Sequence, residues 1–109
     1  MATAYKILGQ SNPSATTETD LYAVPSATET IVSSIIVCNQ AASAGTFRIS
    51  VSADGAATAA KDYLYYDVSI PANDTFIATV GLTIDATDKI RVYASSANMS
   101  FSAWGSEIS

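Results

Sequence analysis

Thr30-Ile31-Val32-Ser33-Ser34-Ile35-Ile36-Val37-Cys38-Asn39 is the stretch on which the reading of this chain turns. Ile31, Ile35 and Val37 stand at odd positions, and Val32, Ile36 and Cys38 at even ones. Successive side chains of an extended segment point to opposite faces, so both faces here are mostly apolar, with Ser33 and Ser34 between. A β-branched run of this kind, closed by the turn-prone Asn39, predicts a central strand from about Glu29 to Asn39 that is covered on both sides.

Working outward, the flanking segments read as strands with one apolar face. Ala4 to Gln10 is a short strand ended by Gly9. Ser11 to Thr19, with Asn12-Pro13 and a run of small polar residues, is a loop or loosely held arm. Asp20 to Val24 is a second short strand, stopped by Pro25 and Ser26. Beyond the central strand, Gln40 to Gly45 is a small-residue turn. From Thr46 the alternation is clean, with Phe47, Ile49 and Val51 on one face and Thr46, Arg48, Ser50 and Ser52 on the other. Asp54-Gly55 is a hairpin-type turn signal that Ala56 to Ala60 lengthens into a loop.

Tyr63 to Ile70 alternates again. Leu64, Tyr66, Val68 and Ile70 share one face, and Tyr63, Tyr65, Asp67 and Ser69 the other. Pro71-Ala72-Asn73-Asp74 has turn chemistry at each position. Phe76, Ala78, Val80, Leu82 and Ile84 define the next inward face, and Asp85 to Asp88 turns the chain. Ile90, Val92 and Ala94 point inward beside outward Lys89, Arg91 and Tyr93. After a turn at Ser95 to Asn98, Met99, Phe101 and Ala103 close the core, with Ser100, Ser102 and Trp104 opposite. Gly105 to Ser109 reads as a short tail. About eight strands with turns at this spacing predict an all-β fold: residues 1–109 as a single antiparallel β-sandwich domain, jelly-roll-like.

Composition narrows the function. At 109 residues the chain has room for one two-layer core and no separate catalytic subdomain. Charged residues are only 14% of it, with Ser and Thr in their place, which leaves a surface that another subunit could cover. Net charge is −5, and Lys6, Arg48, Lys61, Lys89 and Arg91 are scattered, so no basic stripe tracks phosphates and no nucleic-acid partner is expected. The opening residues lack a basic region followed by a long apolar one, and the longest apolar run is four residues, so neither a secretory signal nor a membrane span is expected. Cys38 is alone and at strand period with Val32 and Ile36, which suits a buried, inert thiol.

Chemistry is sparse. The chain has no His, which removes the commonest general base, the Ser/His and Cys/His pairs, and nearly all zinc sites. Its five glycines are dispersed and form no phosphate loop. Carboxylate pairs remain: Asp85 with Asp88 on one turn, and Asp62 with Asp67 flanking one strand. Carboxylates at turns ordinarily bind nearby backbone N–H groups, and a calcium site there needs more oxygen ligands than the loop supplies. No catalytic residue, metal or cofactor is therefore expected. Asn73-Asp74-Thr75 and Asn98-Met99-Ser100 match the glycosylation pattern but read as turn residues. The aromatic residues say more. Tyr63, Tyr65 and Trp104 are candidates for edge cover, for contacts between subunits or for a carbohydrate-stacking platform, since Tyr and Trp supply large contact area at low entropy cost.

Tyr5-Lys6-Ile7-Leu8-Gly9-Gln10, Leu21-Tyr22-Ala23-Val24-Pro25, Ile35-Ile36-Val37-Cys38-Asn39 and Tyr63-Leu64-Tyr65-Tyr66-Asp67-Val68 together resemble a family of small virion proteins of tailed bacteriophages. Ile70-Pro71-Ala72-Asn73-Asp74-Thr75-Phe76 and Val92-Tyr93-Ala94-Ser95 belong to the same resemblance, which covers nearly the whole chain. These are strand-and-turn patterns, without an active-site signature. The resemblance implies a small β-sandwich virion structural protein made in the bacterial host cytoplasm. Its expected role is a capsid decoration or cement protein, a homotrimer that bridges the major capsid protein or another virion protein. A tail, baseplate or fibre-associated component, or a virion carbohydrate-binding module, is the alternative. Tyr63, Tyr65 and Trp104 are then expected at contacts with subunits or shell. The segment Tyr5 to Leu8, with Ile7, is expected as a strand added to a neighbour's edge.

Overall fold

The computed structural model describes residues 2–109. Its strands are β1 (Thr3–Ser11), β2 (Thr19–Ala23), β3 (Glu29–Asn39), β4 (Gly45–Ser52), β5 (Tyr63–Ile70), β6 (Thr75–Ala78), β7 (Leu82–Ile84), β8 (Lys89–Ala94) and β9 (Met99–Ile108). Two single-turn 3₁₀ segments, Ala53–Gly55 and Ala60–Asp62, lie in the β4–β5 connection.

The strands form two antiparallel sheets. Sheet A runs β1-β9-β3, with β6 and β7 sharing the lane beyond β3; sheet B runs β2-β8-β4-β5. β6 faces Ile35 to Cys38 of β3 and β7 faces Thr30 to Val32, so the two are one lane interrupted at Gly81, whose φ is +57°. Counted that way the sandwich has eight lanes, and the chain passes between sheets in jelly-roll order. Phe76, Ala78, Leu82 and Ile84 keep the inward face expected for a single strand.

Between the sheets lie Val32, Ile35, Val37, Phe47, Ile49, Ile90, Val92, Met99 and Phe101, all but closed to solvent. Phe47 is at the centre, with Phe76, Phe101 and Tyr65 rings at 5.1, 6.3 and 6.3 Å from its own. Among the described residues, no buried side-chain nitrogen or oxygen lacks a hydrogen-bond partner.

Three expectations need correction. First, β3 is covered on one side only. Thr30 and Val32 face the core, the register against β9 shifts between Val32 and Ser34, and from there Ile35, Val37 and Asn39 face the core instead. The bulge exchanges the inward set partway along the strand, so Val32, Ile35 and Val37 face the core despite their mixed parity, and Ile31, Ile36 and Cys38 are left on the outer face. Gly105 of β9 permits it, because a Cβ there would lie 2.0 Å from the Ile31 carbonyl oxygen. Second, residues 105–108 are no tail. They extend β9 to Ile108 and pair on both sides, with β1 and with β3.

Third, β5 departs from simple alternation. Its register against β4 shifts between Phe47 and Ile49, because both Tyr66 and Asp67 stand opposite Arg48, and Asp67 adopts φ +50°. A second shift follows toward Ser50. Tyr65 therefore packs on the core while Leu64 and Tyr66 are exposed, although simple alternation set those two on one face with the inward Val68 and Ile70.

Candidate functional surfaces

Large apolar side chains are exposed on strands of both sheets. On sheet A the outward residues form rows across the strands. Tyr5, Ser106, Ile31 and Thr83 make one row; Ile7, Trp104 and Ser34 make the next. Ser102, Ile36 and Ile77 follow, then Ser100, Cys38 and Thr75. Tyr5 is 85% exposed and Ile77 62%, and Ile7 and Ile31 are also exposed. A shallow groove of about 630 Å³ runs along this face, lined by Tyr5, Ile7, Ile31 and Trp104 among others.

The structure thus gathers three of the sequence-predicted residues, Tyr5, Ile7 and Trp104, on one surface. Leu8 is separate from them: it lies in the core, on the far side of β1 from Tyr5 and Ile7. Tyr65 is likewise a core residue, edge-on to Phe76 at 5.4 Å. Cys38, expected to be buried, is half-buried on the outer face.

On the opposite side of the molecule, sheet B carries a stacked cluster. The Arg48 guanidinium lies 4.3 Å from the ring centroids of both Tyr66 and Tyr93 and donates to both Asp67 oxygens, at 2.7 and 3.3 Å. The β5 bulge creates this arrangement, since it presents Tyr66 and Asp67 together to one arginine. Asp67 raises the Arg48 pKa further above its already high value. Tyr63 stands edge-on to Tyr66 at 4.8 Å, and the two rings border an open hollow of about 460 Å³ with Thr58, Ala59 and Ala60. Tyr63 is thus placed as a partly exposed surface residue. Arg48 and Tyr93 are neighbours in the regular β4–β8 register, but Tyr66 was missed beside them because only the bulge brings it there.

The charged side chains mostly serve the fold. Arg91 donates to Asp20, Ser52, Thr58 and the carbonyls of Gly55 and Ala56, which fastens the β4–β5 connection onto sheet B. Burial alone would raise the Asp20 pKa, but hydrogen bonds and charge from Lys89 and Arg91 hold it below the ordinary value. Asp62 is held low by the Ala59 N–H, and then by Lys61 and Ser52. Asp88 accepts from the backbone N–H groups of Asp54 and Asp85, at 2.8 Å each, which is the turn role expected of it. Asn12 donates to the Ala97 and Met99 carbonyls, and the Thr16 N–H to Ala94, so the 12–18 segment is pinned to its own sandwich.

Between the sheets, the Tyr22 hydroxyl sits 2.7 Å from Thr30 Oγ1 and donates to Glu107, which also pairs with Lys6 at 2.9 Å. Among the described residues, no group of three or more metal-ligating side chains comes together. No helix is long and apolar enough to cross a membrane. The class defined by this architecture is a two-sheet jelly roll with uncovered apolar faces. Comparison of the sequence with protein-family models and with curated proteins finds no match.

Proposed function

We propose that this chain is a structural protein of a tailed-bacteriophage virion, a decoration or cement protein that holds neighbouring shell subunits together and makes or breaks no bond. The observation that carries this reading is the pair of exposed apolar and aromatic patches on opposite sides of one small sandwich. Tyr5, Ile7, Ile31 and Ile77 lie on one side, and Leu64 and Tyr66 toward the other. A bridge needs two separate surfaces, and patches of this kind on a soluble fold mark protein contacts. Many weak copies on a repeating lattice then gain from effective concentration. The sequence resemblance supports the virion setting, and jelly rolls are common in capsid domains.

The test is to mix the protein with expanded capsids and heat them. Bound protein should raise the temperature at which the shells break; no binding and no added heat resistance discards the reading. Immunogold labelling of intact virions distinguishes head from tail.

A second reading, a virion carbohydrate-binding module, is favoured by the right-angled Tyr63 and Tyr66 rings above the Ala59-Ala60 floor. A sugar's C–H face stacks on such a ring. A glycan array with Tyr66→Ala as control tests it, and signal independent of Tyr66 rejects it.

A further inference from the structure

We propose that the outer face of sheet A is covered in solution by the same face of a second copy, giving a two-fold pair. The inference rests on the reading of this chain as a structural protein with working outer faces, and names the occupant of one of them. Three observations carry it.

The first is charge. The chain has ten Asp and Glu against five Lys and Arg, so two copies repel through most of their surfaces. Outward positions of sheet A carry one charged side chain among the described residues, Glu29, in the corner row opposite Ile108. Lys6 borders the groove, but its ammonium turns to Glu107. This is the face through which like copies approach at least electrostatic cost.

The second is area. Four lanes about 4.8 Å apart and eight residues long at about 3.3 Å each make a face of roughly 500 Å². Covered by its own copy, it removes roughly 1,000 Å² from water, the lower bound of a specific interface. A single strand or small ligand would leave most of it wet.

The third is composition. The rows hold Tyr5, Ile7, Ile31, Trp104, Ile36 and Ile77, with Ser and Thr of β6, β7 and β9 between them. A two-fold axis sets this face against itself, so large apolar side chains spread among small polar ones across all its lanes are self-complementary. The exposed edge of β1 beside Tyr5 and Ile7 adds contact at the rim.

Light scattering on the purified protein across concentration is the test. The expected mass is twice 11.3 kDa. Ile77→Glu, which enters the pair twice, should weaken it ~100-fold or more and give monomer. Leu64→Glu on sheet B should leave the pair intact. Far-UV circular dichroism confirms that each variant is folded, and Tyr5→Glu serves in place of Ile77→Glu if that variant is not. A mass of one or of three copies in the wild-type protein, or a pair indifferent to Ile77→Glu and Tyr5→Glu, overturns the proposal. The capsid experiment is separate: a pair that ignores capsids removes only the virion reading, and a monomer that binds them removes only this one.

Discussion

The Tyr22 hydroxyl on sheet B donates a 2.5 Å hydrogen bond to the Glu107 carboxylate on sheet A. It is a polar tie between the two layers, beside the one from Asn39 to the Ile70 carbonyl, and it makes stability depend on pH at both ends of the scale.

At the acid end, the Tyr22 hydrogen bond and then Lys6 hold Glu107 below its ordinary pKa of 4.5. A depressed carboxyl contributes stability that is complete above that ordinary value and lost as pH falls through the folded one. Thermal midpoints should therefore drop in acid below about pH 4.5, and Glu107→Gln should drop less steeply. Asp20 is depressed too, so some slope remains in the variant. Equal slopes in the two proteins would refute the assignment.

At the alkaline end, burial and then Glu107 push the Tyr22 pKa up from 10.0 to about 12. A raised phenol stabilises the fold fully below its ordinary value, and that contribution is lost as pH rises through the folded one. Tyr22→Phe should lose about 1–3 kcal/mol at neutral pH and show a flatter decline between pH 10 and 12, read by urea unfolding.

The β5 bulge predicts an order among aromatic substitutions. Phe47→Ala should cost about 3–5 kcal/mol, because its ring is fully buried at the core centre. Tyr65→Ala should cost less, and Tyr66→Ala no more than about 1 kcal/mol, for a ring that is mostly exposed on a surface arginine. A larger loss for Tyr66→Ala than for Tyr65→Ala would place the bulge elsewhere.

Much of this fold was legible. The period-2 runs at Phe47 to Val51, Phe76 to Ile84 and Ile90 to Ala94 gave inward faces that agree with the observed burial. Turn chemistry placed the connections at Pro71 to Asp74 and Asp85 to Asp88. Alternation could not reveal where it is broken. The shifts at Ser33 and at Tyr66–Asp67 change parity through backbone geometry, and no residue type announces them. The same shifts decide which tyrosine is wet and which face of β3 is bare. The surfaces were accordingly legible as residues, in Tyr5, Ile7 and Trp104, but not as a continuous face.

Two glycines separate crowding from backbone conformation. Gly105→Ala sets a Cβ 2.0 Å from the Ile31 oxygen and should cost at least about 3 kcal/mol, as sheet A must part to admit it. At Gly81 a Cβ meets nothing within 4 Å, and only its positive φ opposes substitution, so Gly81→Ala should cost about 1–2 kcal/mol. Chemical denaturation of both variants checks the ranking.

The exchange of faces in β3 has a bearing on how this sequence can drift. Ser33 or Ser34 could be swapped for many other amino acids, yet neither can be deleted without turning half of the strand inside out. Lineages descended from this chain should accordingly vary in length at their turns and hold the residue count between Val32 and Ile35 fixed.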